Sequence, residues 1–169
     1  MGRAETAGTT LAAPHPPTQR PAAPQPLFPS GARFVDLDGD GRLDRLGRRD
    51  DGTLTVELNM GARRFEPVTQ SLPAVDVRDF VVGDLDADGE LDLYLVSPTT
   101  NVALVGAGGG VFRVATDELG LFDTGRGVSV ERVDLDGDWP PELVLHNRDG
   151  DVIFWGLAGG GFERDGEAP

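Results

Sequence analysis

The chain has 169 residues, no cysteine and a formal net charge of −14. That length accommodates one domain with a real core. The missing cysteine excludes disulfides and thiolate zinc sites, and the acidity argues against nucleic acid and anionic membranes as partners while favouring cations. No apolar run approaches the ~20 residues needed to cross a bilayer, and the N-terminus lacks the apolar stretch of a secretory signal.

The opening "MGRAET" fits the myristoylation pattern of Gly2 with Thr6, without the basic cluster that would act as a second anchor. Residues 11–29, "LAAPHPPTQRPAAPQPLFP", are rich in Pro and Ala with almost no hydrophobic periodicity. Residues 1–30 therefore read as a disordered or semi-rigid linker to something further. From residue 31 the texture changes to short alternating strands separated by Gly and Asp clusters. No segment carries a helical stripe of useful length, and "TDELGLF" at 116–122 allows one turn at most.

One unit is written three times. "FVDLDGDGRLDRL" at 34–46 returns as "VVGDLDADGELDLYL" at 81–95 and as "VERVDLDGDWPPELVL" at 130–145, so that Asp36, Asp84 and Asp134 are equivalent, 48 and then 50 residues apart. Phe65, Phe112 and Phe162 end a second recurring segment 29, 28 and 28 residues after those aspartates. The first copy parses into four strands, "ARFVD", "LDRLGRR", "TLTVELN" and "RFEPV". In the third of these, Leu54, Val56 and Leu58 alternate with Thr53, Thr55 and Glu57, the two-residue period of a sheet. "DDG" at 50–52 and "RDGD" at 148–151 are hairpin turn signals. The expected fold is all-β: three four-stranded blades of a β-propeller over residues 31–78, 79–127 and 128–169, forming an incomplete ring.

The acidic loops place oxygen donors at positions 1, 3, 5, 7 and 9. These are Asp36, Asp38, Asp40, the carbonyl of Arg42 and Asp44 in the first loop, and Asp84, Asp86, Asp88, the carbonyl of Glu90 and Asp92 in the second. Crowded like charges repel, so a cation is expected among them, and hard oxygen donors on a flexible loop select Ca²⁺. Gly41 and Gly89 at position 6 allow the sharp turn that aims the next carbonyl inward. The third loop keeps Asp134, Asp136 and Asp138 but has Trp139 at position 6, Pro140 at position 7 and Glu142 at position 9. It is expected to be the weakest site or none. An EF-hand shares the opening, but its closing Glu at position 12 would fall on Gly47, Leu95 and Leu145, and its helices are replaced by strands. The competing view of all three loops is a set of Asx-rich turns without metal.

These repeats resemble the FG-GAP / VCBS repeats of integrin-alpha-type β-propellers, most closely the bacterial and cartilage-acidic-protein-like branch with D-x-D-G-D-G-x-x-D. The resemblance covers roughly residues 32–165. It implies a propeller fold, Ca²⁺ in the loop between adjacent strands of each blade, and an extracellular, cell-surface or periplasmic setting. Integrin-like ligand binding is not carried over with the metal site. Three blades cannot close a ring that typically has about 4–8, so further blades of a longer protein or another copy of the chain are expected to complete it.

The function expected is a non-catalytic, calcium-binding module for adhesion or for binding a protein or carbohydrate. The alternatives are a polysaccharide lyase or hydrolase, and a structural spacer. Among near-neutral bases, His15 lies in the linker and His146 ends a strand, where a structural role is expected. Spare acids such as Asp76, Asp79 and Glu131 show no spacing suited to acid/base work. Trp155 and Tyr94 are expected on packed blade faces, while Trp139 sits on a loop beside an acidic site, where an exposed ring would favour binding.

Overall fold

A computed structural model describes residues 32–70 and 72–166. The 1–30 segment, with Gly2 and His15, lies outside them. Among the described residues there is no helix, and so none long and apolar enough to cross a membrane. The 116–120 stretch is a turn. Twelve strands form three four-stranded antiparallel meanders. Blade 1 comprises β1 (Arg33–Val35), β2 (Asp44–Arg48), β3 (Leu54–Asn59) and β4 (Phe65–Pro67). Blade 2 comprises β5 (Asp79–Gly83), β6 (Asp92–Val96), β7 (Val102–Gly106) and β8 (Phe112–Val114), and blade 3 comprises β9 (Gly127–Val133), β10 (Glu142–Asn147), β11 (Val152–Gly156) and β12 (Phe162–Arg164). These are the expected propeller blades, unclosed, with each acidic loop joining the first two strands of its blade. The turns expected at 50–52 and 148–151 join β2 to β3 and β10 to β11, with Gly52 and Gly150 at φ 89° and 125°.

Burial follows the two-residue strand period. In β3, Leu54 and Val56 are buried while Thr55 and Glu57 are not. Blade 2 is the shared wall. Phe80, Leu93, Leu95 and Leu104 pack against Leu46 and Val56 of blade 1, while Val81, Tyr94, Val96, Ala103 and Val105 pack against Leu143, Leu145 and Phe154 of blade 3. This two-sided burial explains why all five residues of β6 are buried. Tyr94 is fully buried, as expected, and its hydroxyl donates to the carbonyl of Leu121 at 3.2 Å.

The cross-strand registers show how the end blade departs from the others. Leu93 faces Leu104 in blade 2 and Leu143 faces Phe154 in blade 3, each pair turned toward the preceding blade. In blade 1 the same register holds Arg45 opposite Glu57, joined as an ion pair. That face has no described neighbour, and charged residues suit it.

Polar clasps join the blades. Arg33 on β1 pairs with Asp79 on β5, and Asp79 also accepts the amide of Val130 on β9. Gln70 accepts the amide of Phe112 at 2.7 Å, tying the blade 1–2 connection to β8. The amide of Gly161 donates to the carbonyl of Leu85 at 2.8 Å, fastening the β11–β12 hairpin to the second acidic loop. A Cβ at Gly160 would lie 2.0 Å from the carbonyl oxygen of Asp86, so this approach requires glycine.

Candidate metal centres and the cleft between them

Each acidic loop leaves the first strand of its blade, curls, and re-enters at the start of the second. In the first two loops the curl rests on two left-handed residues: Gly39 and Gly41 at φ 73° and 84°, and Ala87 and Gly89 at φ 64° and 93°. This arrangement brings the amide at position 6 onto the carboxylate at position 1. Gly41 donates to Asp36 at 2.8 Å and Gly89 to Asp84 at 3.2 Å. Amides at position 5 bond the carboxylate at position 3 in all three loops, Asp40 to Asp38, Asp88 to Asp86 and Asp138 to Asp136, at 3.1–3.2 Å.

Carboxylate oxygens gather in each loop. Asp36, Asp38 and Asp40 form one set, Asp84, Asp86 and Asp92 a second, and Asp134, Asp136 and Glu142 a third, with the candidate ligand atoms of each set within 4.8 Å of one another. Each set brings together oxygens that could hold a metal ion. Asp44, Asp88 and Asp138 stand outside these groupings. Asp88 accepts the amide of Glu90 at 2.8 Å. In the first loop the guanidinium of Arg42 pairs with Asp40 and its Nε donates to the carbonyl of Asn59 at 2.7 Å.

The position-9 residues have a second duty that spacing does not reveal. Asp44, Asp92 and Glu142 are buried. Asp44 accepts the amides of Leu37 and Asn59, both at 2.8 Å, and so pins the loop to β3. Asp92 does the same with Leu85 at 2.6 Å and Gly106 at 2.8 Å, and Glu142 takes Leu135 at 2.7 Å. Burial pushes the Asp92 carboxyl up to about 6, with the Gly106 and Leu85 amides opposing the shift and the charge of Asp86 adding to it. Burial likewise raises Asp86, beside the like charges of Asp88 and Asp84.

An observation in the second loop bears directly on a cation. Oδ1 of Asp84 is buried with no hydrogen-bond partner. An orphaned carboxylate oxygen is costly in a metal-free site and satisfied by a coordinated ion, so the residues of this loop fit one. The third loop follows a different path. Trp139 is joined to Pro140 by a cis peptide bond, and within this loop only Gly137 is left-handed, at φ 88°. Asp134 accepts the amide of position 4, Gly137, at 2.7 Å, in place of position 6. The carbonyl of Pro140 lies against β11, 2.7 Å from where a Cβ of Gly156 would be. The departure expected from Trp139 and Pro140 is thus a change in the route of the backbone.

Other expected side chains fall away from the loops. His146 sits beside Asp151 and Glu131, its Nδ1 3.0 Å and its Nε2 3.6 Å from their carboxylates. Asp76 is shared by Arg48 and Arg78. Trp155, expected on a packed face, is only part-buried, on the outward face of blade 3, where no described blade covers it. Its Nε1 donates to Asp165 at 3.2 Å. Trp139 is 69% exposed.

Sequence reasoning missed Arg132, which it had no motif to find. The guanidinium lies over Gly83, where a Cβ would come within 2.7 Å of Nη1, and 5.4 Å from the centroid of the Trp139 ring.

Residues 36–95, from the first acidic loop to the penultimate residue of β6, match the family model of the FG-GAP-like repeat. Over that segment the chain is similar to the FG-GAP-like repeat. Blade 3 lies beyond the matched segment and repeats the same meander and register. A search of curated proteins gives no match.

Proposed function

We propose that this FG-GAP-like chain is a calcium-stabilised, non-catalytic binding module that works outside the cell or at its surface. The observation that carries the calcium reading is the unpartnered, buried Oδ1 of Asp84 inside a set of three close carboxylates. Asp36, Asp38, Asp40 and Asp44, with the Arg42 carbonyl, would hold one ion. Asp84, Asp86, Asp88 and Asp92, with the Glu90 carbonyl, would hold a second. When bound, Ca²⁺ supplies positive charge that cancels the repulsion and cross-links the strands flanking the loop. Asp134, Asp136, Asp138, Pro140 and Glu142 would form a weaker third site, because the loop path differs. Supporting the binding role, the acidic residues of the repeats cluster in the loops, where their carboxylates accept backbone amides.

The test is calorimetric titration of the chelator-treated protein with Ca²⁺ and, separately, Mg²⁺. Two Ca²⁺ ions are expected with dissociation constants of about 10⁻⁴–10⁻³ M, the range of extracellular modules, together with a rise in melting temperature. No Ca²⁺ uptake and no change in melting overturn the reading.

A further inference from the structure

The innermost strands of all three blades, β1, β5 and β9, border one concave cleft on the side of the acidic loops. Its volume is about 430 Å³, and its lining includes Phe34, Gly83, Asp84, Arg132 and Trp139. That volume lies within the roughly 300–1,000 Å³ typical of small-ligand sites.

Three observations give the cleft a chemical character. First, Arg132 makes no side-chain hydrogen bond or ion pair within reach among the described residues; its neighbours are the Trp139 ring and, at longer range, the charge of Asp84. A partly buried guanidinium holds five donors that need acceptors. Second, the site is shaped around it. Blades 1 and 3 have Val35 and Val133 just before their acidic loops, whereas blade 2 has Gly83, and the guanidinium fills the space. Third, two large aromatic side chains stand open at the same cleft, Phe34 at 54% and Trp139 at 69% exposure. An exposed aromatic face, electron-rich at its centre, suits the polarised C–H face of a pyranose ring. A lone guanidinium suits a single carboxylate, which it binds bidentately.

We propose that this cleft binds a saccharide bearing a uronic acid, with Arg132 taking the carboxylate and Trp139 and Phe34 packing on the sugar. The proposal rests on the binding-module reading but its charge recognition does not rest on calcium, because Arg132 is placed by β9 and Gly83, whereas Trp139 rides on the third acidic loop. The domain is strongly acidic, so the attraction is short-ranged, and a ligand with one carboxylate is preferred over a polyanion.

The experiment titrates the full chain with glucuronosyl-xylobiose and with the same trisaccharide whose acid has been reduced to the neutral sugar. Binding is followed by calorimetry and tryptophan fluorescence, with saturating Ca²⁺ and with EDTA. The acid is expected to bind about tenfold tighter than the neutral form. Arg132→Gln should abolish that preference, and Trp139→Ala, at an exposed position that leaves the fold intact, should weaken both sugars. Binding in EDTA alongside absent Ca²⁺ uptake would leave this inference standing while the calcium reading fell. Equal affinity for both sugars, an acid affinity unchanged in Arg132→Gln, no binding of either sugar, or equally tight binding of a singly charged acidic peptide each overturns it.

Discussion

Arg33 and Asp79 join the first two blades through a short ion pair, Nη2 to Oδ1 at 2.8 Å, with the side chains 15% and 4% exposed. The other oxygen of Asp79 accepts the Val130 amide at 3.0 Å, so one carboxylate touches the innermost strand of all three blades. Removing it leaves a largely buried guanidinium and an unpaired amide. Asp79→Ala should therefore destabilise by roughly 2–4 kcal/mol, measured by urea unfolding. Asp79→Asn, which keeps an acceptor, should cost less. Equal stability of Asp79→Ala and the parent would show that the clasp contributes nothing.

The two kinds of carboxylate in the first loop should separate under mutation. Asp44 is buried and pins the Leu37 and Asn59 amides, whereas Asp40 is an exposed loop residue paired with Arg42. In EDTA, Asp44→Ala should lose about 2–3 kcal/mol and Asp40→Ala less than about 0.5 kcal/mol. With Ca²⁺ present, both should show a smaller metal-induced rise in melting temperature. A melt series of the two variants with and without metal checks this.

The raised carboxyl of Asp92 gives the metal-free protein a pH dependence of defined sign. Its folded value is about 6, against about 3.9 unfolded. Between those values the folded state holds the proton more often, so stability falls as pH rises through that window. The contribution is on the order of 2–3 kcal/mol, present below about pH 4 and lost above about pH 6. In EDTA, Asp92→Asn should flatten this part of the profile, measured by denaturant midpoints at each pH. Ca²⁺ affinity should run the other way and weaken as pH drops through about 6, because a bound ion needs the ionised carboxylate.

Position 4 of the loops offers a matched pair. Ala87 is left-handed at φ 64°, where its counterparts are Gly39 and Gly137. Ala87→Gly relieves the backbone strain at some cost in chain entropy, giving a net gain of up to about 1 kcal/mol. Gly39→Ala meets no neighbour within 4 Å but takes on the strain, so it should lose about 1 kcal/mol. The opposite signs, read from thermal melts, are the check.

Much of this architecture was legible because it is local. A blade is a meander whose strands follow one another closely, so period, turns and loop recur at fixed spacing and repetition exposes them. The loop ligands were legible for the same reason. What spacing cannot show is a contact between distant repeats. Asp79 looked like a spare acid because its partners lie 46 and 51 residues away, and Arg132 matters only because Gly83, in another blade, makes room for it. The double duty of Asp44 and Asp92 was hidden similarly: a ligand and a buried pin ask for the same residue. Trp155 was assigned to a packed face from its place in the repeat, yet the outward side of the last blade has no described neighbour to pack against.

The two-sided burial of blade 2 also sets how the molecule comes apart. Strand ladders are confined within each sheet, so neighbouring blades hold one another mainly through side chains and a few clasps, as in a nearest-neighbour chain of repeats. Blade 1 and blade 3 each have one such interface and blade 2 has two. Fraying is cheapest at the ends, and the amides of β6 should exchange with solvent only when the whole array opens. The middle repeat is the cooperative unit on which both neighbours depend.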